Sequence, residues 1–534
     1  MKYLQPSRNL SLFIAAAFVF LVAFGVRFYN WQIEGINPDE PTWQQRIENF
    51  SLAIKNHEWQ YTFQSLHPAV TLDWLSYIGR ASSGFNYIPQ YHYPFDTSDN
   101  TPGFTGDDSP ARGFKDPLVF WTVHSSEVNV LILVNAAACL MVFLLLSKLV
   151  DRKAAFLSAL LVCLDFYYIA SSRVIQMDSL LASFVILTAL CAILFFKSKK
   201  RLYLILAALF SGLTVLTKVN GVLVCGFTLF VIATPFIIDL LKTRRLKTQL
   251  LLTTIINLAL YGVLSLTVFF VLYPAMWVQP ILTLKDLAYG IFNRGLLEGG
   301  ESVGGTFFLG RVSSNPGFAY YPLILLIRSN PLSLVAFVAG ITAAFINTIK
   351  TKKISTHTGL TILFLIFFVI YLIGMSAVAK KSERYIMPIF LLFDIYAGLF
   401  LYQLLKKVEV KFINKAKLYL IIILVFFGQF ILELCPLSWH YGSYYNPLIG
   451  GAKVAQRLTT TGWGEGLLEV ADYINSVPNS KKMRISTCYS YINQIQRKQD
   501  LGLWEEYQHL KPLKTVTING IAYAYIYQGL HPLK

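Results

Sequence analysis

The sequence predicts an all-α polytopic membrane protein that crosses the bilayer about eleven times, with long outer loops and a small C-terminal α/β extracytoplasmic cap. Of its 534 residues, 55% are hydrophobic and only 14% are charged, whereas soluble domains carry roughly 25% charged residues. The mean hydropathy is +0.52. Apolar runs long enough to cross a hydrocarbon core recur from end to end. These observations exclude a soluble multidomain protein.

Eleven runs have the length of a spanning helix. They lie near residues 10–28, 130–148, 153–171, 178–196, 202–219, 221–240, 250–272, 330–349, 359–379, 385–405 and 417–435. The first run resembles a signal sequence, but the following RFYNWQ contains no small-residue cleavage site, so we expect an uncleaved helix. At TKVNG, near 217–223, a long re-entrant hairpin is the alternative to two separate spans.

Basic residues cluster in the short loops between these runs and account for the net charge of +17. The clusters are Lys197, Lys199, Lys200 and Arg201; Lys242, Arg244, Arg245 and Lys247; Lys350, Lys352 and Lys353; and Lys406, Lys407, Lys411, Lys415 and Lys417. With a cytoplasmic N-terminus, every cluster falls on the cytoplasmic side, as the positive-inside rule requires. We therefore predict a multi-pass protein of the cytoplasmic (inner or plasma) membrane, with membrane lipids and no nucleic acid as partners.

This orientation places three long segments outside, 29–129, 273–329 and 436–534. They carry carboxylates, histidines and aromatic residues, so we expect chemistry or recognition on the outer face. Cys435 and Cys488 also lie in the outer part, and their spacing leaves open whether they pair.

The C-terminal tail has the pattern of a small mixed domain. It contains a helical stretch near 464–475 and strand-like runs near 483–489 and 516–527. We therefore divide the chain into a transmembrane module, 1–435, and an extracytoplasmic domain, 436–534.

Two adjacent carboxylates, Asp39 and Glu40 in INPDEPTW, follow the first helix closely. In an outer loop they could act as a general base towards a hydroxyl or hold a divalent cation. Alternatively, Asp39 caps a helix that begins at Pro41. The two interpretations are compatible, since a capped helix would fix a carboxylate at the membrane surface.

Other polar residues lie near the predicted outer boundary. His67, followed by Pro68, could bind a proton, a metal or a phosphate, or could be a turn residue with a satisfied ring. Arg173 and Asp178 lie in the short connection between the third and fourth helices. They are either functional or a local salt bridge.

A basic cluster, AKKSERY, contradicts the positive-inside rule at the outer end of the ninth helix. It contains Lys380, Lys381, Glu383 and Arg384. Binding of a lipid phosphate would explain the cluster, and snorkelling to the headgroups is the alternative. Downstream, SYYNPLIGG and TGWGEG are by themselves typical of a turn, an interfacial aromatic anchor and a helix start.

In this order, the segments resemble the lipid-carrier-dependent GT-C glycosyltransferases. The closest group is family 39, which includes protein O-mannosyltransferases and bacterial aminoarabinose transferases. The matching segments are NPDEPTW, LHPAVTLDWL, DFYYIASSRVIQMDSLLASF, SGLTVLTKVNG, YPAMWVQP, FFLGRVSSNPGFAYYP and KKSERYIMPI. The final SYYNPLIGG and GWGEGL resemble a bacterial branch. The resemblance covers nearly the whole chain.

The resemblance implies a GT-C fold and an enzyme at the outer face. It would move a hexose or pentose from a polyprenyl-phosphate donor to a hydroxyl of a protein, lipid or glycan, inverting the anomeric carbon by direct displacement. The implied catalytic residues are Asp39 and Glu40. The implied ligands of the donor phosphate are Arg384, Lys381, Lys380 and Arg173. Further implied cavity residues are His67, Asp178, Arg46, Tyr385 and Glu465.

The sequence departs from the aminoarabinose transferases. An Arg usually follows their acidic pair shortly, whereas the nearest here is Arg46. Ala69 stands where relatives have a second Pro or a Gly, and His67 stands where some have Lys. These differences argue against aminoarabinose as the sugar and leave the phosphate ligands of the first loop open.

Two alternatives stay open. A metal-dependent oligosaccharyltransferase would need more acidic ligands, and those nearby are Asp73, Asp96, Asp99, Asp107 and Asp108. We predict no cofactor, although a divalent metal is possible. A transporter or flippase of lipid-linked sugars would show internal repeats and charges deep in its spans. We find no clear repeat, and the charges cluster at the outer boundary.

Overall fold

We describe the protein from a computed structural model. The described residues are 6–34, 37, 39–84, 117–292, 305–351, 356–407, 440–466, 473, 476, 484–486, 501–502, 514–518 and 521–527. The predicted helix at 417–435 and both outer cysteines, Cys435 and Cys488, lie outside them, as do Asp96, Asp99, Asp107 and Asp108.

Helices dominate the described part of the chain. They are α1 (Pro6–Phe28), α2 (Glu40–Lys55), α3 (Val70–Ser82), α4 (Pro117–Leu149), α5 (Arg152–Cys163), α6 (Phe166–Ser171), α7 (Asp178–Ser198), α8 (Arg201–Thr217), α9 (Val222–Thr243), α10 (Thr248–Leu272), α11 (Ala275–Val278), α12 (Pro280–Tyr289), α13 (Tyr320–Arg328), α14 (Pro331–Thr351), α15 (Thr356–Ala377), α16 (Met387–Lys407) and α17 (Gly451–Leu458). Within the described ranges, eight are long and apolar enough to cross a membrane, and α8 is shorter but apolar. The prediction of an all-α polytopic membrane protein is thus confirmed.

One predicted span is wrong as drawn. The run at 153–171 is divided into α5 and α6, because the chain leaves the helix at Leu164 and Asp165. The carboxylate of Asp165 accepts a hydrogen bond from the backbone N–H of Tyr168, 2.7 Å away, and so begins a new helix. The side chain competes with the helix for the backbone and breaks it.

The first outer segment also ends earlier than predicted. Helix α4 begins at Pro117 rather than near residue 130. Its 33 residues would measure about 50 Å at 1.5 Å per residue, which exceeds the ~30 Å hydrocarbon core. The polar start of this helix therefore extends beyond the apolar part, where hydropathy alone does not detect it.

Helices α2 and α3 lie within the first outer segment and are tied to α4 by a buried polar cluster. The guanidinium of Arg80 on α3 pairs with the Glu127 carboxylate on α4. The Gln44 side chain on α2 donates to the same carboxylate at 3.0 Å and accepts from Arg80 at 3.0 Å. Because every member has a partner, the cluster fixes the angle at which α2 leaves the bundle.

The spanning helices approach closely where one of them carries a glycine. A Cβ built on Gly398 in α16 would lie 2.4 Å from the backbone N and Cα of Ser158 in α5. The Ser158 hydroxyl also donates to the Ile395 carbonyl at 2.7 Å. Small residues allow such close packing inside a membrane, and this contact joins α5 to α16 in the largest core cluster.

At TKVNG, the chain forms two separate helices, as predicted. Helix α8 ends at Thr217, Lys218 is extended, and Val219–Gly221 form one 3-10 turn before α9 begins. The break places Lys218 at the end of the bundle where α8 ends and α9 begins.

Strands form two small sheets. In the second outer segment, β1 (Thr306–Phe308) and β2 (Arg311–Ser313) form an antiparallel hairpin. In the tail, β3 (Arg484–Ser486), β4 (Leu501–Gly502), β5 (Lys514–Ile518) and β6 (Ile521–Tyr527) form a sheet in the order β4-β3-β6-β5. The predicted strand at 483–489 contains β3, whereas the run at 516–527 is two antiparallel strands rather than one. Most of the predicted helix at 464–475 lies outside the described residues.

Candidate active site

A cavity of about 590 Å³ opens at the end of the bundle where α7 and α16 begin and α8 ends. Its walls come from the first and second outer segments, from residues 167–177 and 380–385, from the TKVNG break and from residues 442–465. The polar side chains that line it are Asn37, Asp39, Thr42, Arg46, Ser65, His67, Tyr167, Ser171, Gln176, Lys218, Thr306, Tyr320, Arg328, Lys380, Lys381, Ser382, Glu383, Arg384, Tyr385, Thr460 and Glu465. The cavity thus collects charges from distant parts of the chain.

Asp39 faces this cavity and does not cap α2. Its carboxylate makes no capping hydrogen bond. Instead, the Asn37 side-chain oxygen accepts from the backbone N–H groups of Asp39, at 2.9 Å, and Glu40, at 3.2 Å. Glu40 returns a bond, because its Oε2 accepts from the Asn37 N–H at 2.7 Å. This reciprocal pattern is a capping box built by Asn37, so the capping interpretation of the Asp39 side chain is wrong.

Glu40 is fully buried behind the cavity wall, which does not fit the catalytic role implied for it. Its Oε1 accepts from the Ile175 N–H at 2.6 Å and lies 3.4 Å from the His124 ring nitrogen. Together with the bond to Asn37, these contacts occupy both carboxylate oxygens. Glu40 therefore holds the α2 start against the chain before α7, and Asp39 alone of the acidic pair presents its carboxylate to the cavity.

Arg384 is the central cation of the site. Its Nη1 lies 2.7 Å from Oδ2 of Asp39, and its Nε lies 3.3 Å from Oδ2 of Asp178 without hydrogen-bond alignment. The guanidinium carbon lies 4.6 Å from the centre of the Trp463 ring. Arg384 thus connects the first outer segment to α7 and to the TGWGEG segment. Through Trp463, the TGWGEG segment therefore belongs to the site.

Lys218 is a site residue that the sequence interpretation missed. Its ammonium lies 2.7 Å from Oδ1 of Asp178 and 4.1 Å from the centre of the Tyr385 ring. The one available signal was a lysine at the outer end of an apolar run, contrary to the positive-inside rule. Asp178, fully buried, lies between Lys218 and Arg384 and holds the two cations side by side.

Arg173 lies elsewhere, so the implied contact with a donor phosphate does not fit the structure. Its guanidinium donates to the carbonyl oxygens of Arg27, Val26 and Tyr29 at 3.1, 2.5 and 2.8 Å. It also lies 4.3 Å from the centre of the Tyr441 ring. These carbonyls have lost their helical partners at the end of α1, and Arg173 satisfies them. These contacts tie Arg173 to the end of α1, whereas Asp178 contacts Lys218 and Arg384.

The two lysines before Arg384 differ. Lys380 is half-buried and lines the cavity. The ammonium of Lys381 donates to the carbonyl oxygens of Ser376, at 2.8 Å, and Val378, at the end of α15. Burial lowers the pKa of Lys381. Of the two, Lys380 is better placed to contact an anion.

His67 and Arg46 lie on the side of the cavity formed by the first outer segment. The guanidinium of Arg46 lies 4.6 Å from the centre of the Trp43 ring. The pKa of His67 is well below its usual value, mainly because the ring is buried in the protein. Nearby positive charges lower it further, and they belong to Lys218, Lys380, Arg46 and Arg384. A neutral imidazole at neutral pH can donate or accept a hydrogen bond but adds no charge.

A buried ion pair supports the opposite wall. The Arg328 Nε donates to Oε2 of Glu383 at 2.9 Å, and its Nη1 donates to the carbonyls of Gly442 and Tyr444 at 2.8 and 2.6 Å. Glu465 lies beside the same turn, because a Cβ on Gly442 would come within 2.3 Å of its carboxylate. Arg328 was not singled out from the sequence, since one arginine after an apolar helix resembles an ordinary helix end.

Among the residues with a described position, the acidic side chains outside this network do not extend it into a carboxylate cluster. Asp73 on α3 is buried, and among the described residues no group donates a hydrogen bond to it. Burial raises the pKa of Asp73 well above its usual value, and Arg46 opposes this only in part. In the described part of the chain, no three His, Cys, Asp or Glu side chains are grouped as metal ligands.

Comparison with known proteins supports the resemblance seen in the sequence. Residues 128–278 match the family model described as dolichyl-phosphate-mannose-protein mannosyltransferase. This segment contains α5 to α10 and the break at Lys218, and the match confirms the predicted similarity to GT-C glycosyltransferases of the family 39 type. No curated protein sequence matches the chain.

Two solved structures are similar to most of the chain. The archaeal oligosaccharyltransferase AglB from Archaeoglobus fulgidus, in complex with an inhibitory peptide and a dolichol-phosphate, is 11% identical with a TM-score of 0.46; the match covers 89% of this chain and 59% of that one. ArnT from Cupriavidus metallidurans, bound to undecaprenyl phosphate, is 12% identical with a TM-score of 0.46, and the match covers 82% and 65%. The chain thus spans about three fifths of the length of these proteins.

Proposed function

We propose that this chain, whose residues 128–278 match the protein mannosyltransferase family model, is a membrane glycosyltransferase that uses a polyprenyl-phosphate sugar as donor. The observation that supports it best is the group formed by Asp39, Arg384, Asp178 and Lys218 in one cavity at the end of a bundle of spanning helices. A carboxylate beside two cations suits a reaction in which a hydroxyl attacks and a phosphate leaves. The acceptor is a hydroxyl of a protein, lipid or glycan.

The cations bind the donor phosphate in this proposal. Arg384, Lys218 and Lys380 are contributed by short segments between helices, so their positions are set before the donor binds. Phosphate oxygens are good acceptors for such groups. As the bond between the anomeric carbon and the phosphate oxygen breaks, its electron pair stays on the phosphate, and fixed cations stabilise the growing charge. The leaving group needs no protonation.

The carboxylate of Asp39 receives the proton of the acceptor hydroxyl. The hydroxyl oxygen forms a bond to the anomeric carbon on the face opposite the phosphate, which inverts that carbon. A phosphate bound to Arg384 competes with Asp39 for the guanidinium, so donor binding releases the carboxylate for the hydroxyl. Gln176, whose side-chain nitrogen lies 3.3 Å from Oδ2 of Asp39, keeps the carboxylate in place.

In this proposal, the cavity faces the outside of the cytoplasmic membrane and the N-terminus lies inside. The basic residues in the last turns of α7, α9 and α14, which are Lys197, Lys242 and Lys350, lie at the opposite end of the bundle from the cavity, as the positive-inside rule requires of the cytoplasmic side. Residues 440–465 contribute to the cavity wall. The proposed C-terminal domain, 436–534, would thus share the site with the transmembrane module, 1–435.

The reaction can be tested with purified protein in detergent and a panel of polyprenyl-phosphate sugars that differ in the sugar. We expect release of free polyprenyl phosphate with one donor class by the wild-type chain and a large loss with Asp39→Asn. If every donor bound tightly and none was turned over, with acceptor proteins, lipids and glycans all offered, the transferase proposal would be wrong and a carrier of lipid-linked sugars would be favoured.

Arg384→Ala is expected to weaken donor binding about tenfold to hundredfold, because hydrogen bonds to charged groups contribute about 1.5–3 kcal/mol each. The measurement is the dissociation constant of polyprenyl phosphate. Arg311→Ala, which removes an exposed arginine from β2 of the same outer region, is the matched control and should bind normally. If Arg384→Ala bound polyprenyl phosphate with unchanged affinity, Arg384 would not be a ligand of the donor phosphate.

A further inference from the structure

A second cavity lies at the opposite end of the bundle from the candidate active site. Its volume is about 920 Å³, and it is formed where α4, α7 and α16 end and where α5 and α15 begin, beside the second half of α9. The side chains of its walls are mostly apolar, among them Phe230, Ile237, Ile238, Ile362, Leu363 and Ile366. Its volume lies within the range of small-molecule and lipid sites.

The apolar wall continues along the helices from the charged end. On α9 it runs from Phe230 to Ile238, which is about 12 Å at 1.5 Å per residue. One leaflet contributes roughly 15 Å to the ~30 Å hydrocarbon core. The groove is therefore long enough to line most of an acyl chain that extends from its headgroup to the middle of the bilayer. Ile237, Ile238 and Ile362, which line it, are 38%, 41% and 40% exposed. A wall of this depth suits a chain rather than a small ion.

Three lysines surround the polar end of the groove. Lys148 and Lys197 lie in the last turns of α4 and α7, and Lys406 lies near the end of α16. The Lys197 ammonium donates to the carbonyl of Leu149 at 2.5 Å, and the Lys406 ammonium lies 5.0 Å from the centre of the Tyr402 ring. The charges therefore gather at one rim.

The charge balance of this rim favours an anion. Among the residues that the structure describes in this wall, the one carboxylate is that of Asp151, and it already accepts from the backbone N–H of Lys153 at 2.9 Å as the cap of α5. The ends of α4, α7 and α16 disfavour an anion by their dipoles, but three full positive charges outweigh these partial ones. Basic pockets between spanning helices are known to bind anionic lipid headgroups.

We infer that this cavity is a binding site for an anionic glycerophospholipid of the leaflet opposite the candidate active site. The headgroup phosphate lies among Lys148, Lys197 and Lys406, and one acyl chain lies between α9 and α15. Bound there, the lipid contacts α4, α5, α7 and α9 from the first half of the chain and α15 and α16 from the second half. The inference does not depend on the transferase proposal, and its test requires no turnover.

The test compares phosphatidylglycerol with phosphatidylcholine of identical acyl chains, by native mass spectrometry and by thermal stabilisation of the full chain in detergent. We expect phosphatidylglycerol to bind about tenfold more tightly, and the preference to shrink as salt is raised. Equal binding of the two lipids would overturn the inference. Stabilisation by inorganic phosphate alone to the same extent would identify a simple anion site and would also overturn it.

Variants locate the site. The double variant Lys197→Gln/Lys406→Gln should lower phosphatidylglycerol affinity at least tenfold, since each cation at a surface contributes substantially to anionic lipid binding. The control Lys242→Gln/Lys350→Gln removes the same charge from exposed positions at the same end, outside the cavity, and should bind normally. If both double variants lost the same affinity for phosphatidylglycerol, the effect would come from the total positive charge at this end of the protein. That result would refute the site.

A filling variant tests the acyl-chain part separately. Gly359 lines the groove, and a Cβ built on it meets open space. Gly359→Leu should therefore fold normally and exclude the acyl chain, with a loss of bound phosphatidylglycerol of at least tenfold. The fold is checked by the thermal transition without lipid. Normal lipid binding by this folded variant would contradict the placement between α9 and α15.

Discussion

Replacement of Asp39 by asparagine is expected to lower sugar transfer by about 10²- to 10⁴-fold, the range that a general base contributes. The asparagine has the same shape, and α2 keeps its start because Asn37 and Glu40 form the capping box. The variant should therefore fold like the wild type. The rate is measured as release of polyprenyl phosphate under single-turnover conditions.

Donor binding separates a catalytic role of Asp39 from a structural one. Asp39 pairs with Arg384 at 2.7 Å, so its neutralisation leaves the cation freer to bind phosphate. We expect the Asp39→Asn variant to bind polyprenyl phosphate as tightly as the wild type or more tightly. Asp239→Asn is the matched control, because it makes the same change at a residue of α9 that forms a half-exposed ion pair with Lys247, just before α10. Transfer within tenfold of the wild type in Asp39→Asn would refute the general-base role.

Replacement of Arg328 by methionine is expected to lower the free energy of unfolding by about 3–5 kcal/mol, as when one partner of a buried ion pair is removed. Glu383 would keep its charge without its partner, and the carbonyls of Gly442 and Tyr444 would lose their donor. The guanidinium also lies 4.4 Å from the Tyr167 ring and 4.0 Å from the Tyr445 ring. The measurement is chemical denaturation in detergent.

A second substitution identifies the cause of this loss. Arg328→Met/Glu383→Gln removes the unpaired charge and should recover part of the stability. Arg457→Met, at an exposed position on α17, is the control and should change stability by less than about 0.5 kcal/mol. Additive losses from Arg328→Met and Glu383→Gln would show that the ion pair is not the source.

The long apolar helices were predictable because hydropathy is a local property. A run of about 20 apolar residues must form hydrogen bonds within itself when it enters lipid, and only a helix does so along one segment. The same rule fails at 153–171, where one side chain, Asp165, divides an otherwise apolar run. It also fails at the start of α4, where the helix continues beyond the apolar residues.

The candidate site was predictable in part. Asp39 belongs to an acidic pair in an outer loop beside the membrane, and Arg384 belongs to a basic cluster that breaks the positive-inside rule; the structure brings the two side chains into contact. Glu40, from the same acidic pair, and Arg173, an ionisable residue near the outer membrane boundary, instead satisfy backbone groups. A sequence shows that a charge is present near a membrane boundary, but it does not show which neighbouring backbone groups lack a partner.

By itself, the sequence determined the membrane class, most of the spans, the grouping of basic loops and the acidic residue that faces the cavity, since each depends on local composition. Only the tertiary structure decided the rest: the exclusion of Glu40 and Arg173 from the cavity, the inclusion of Lys218, and the support from Arg328. The physical reason is that a charged side chain near a membrane must find a partner. Which partner it finds depends on how helices from distant parts of the chain pack against one another.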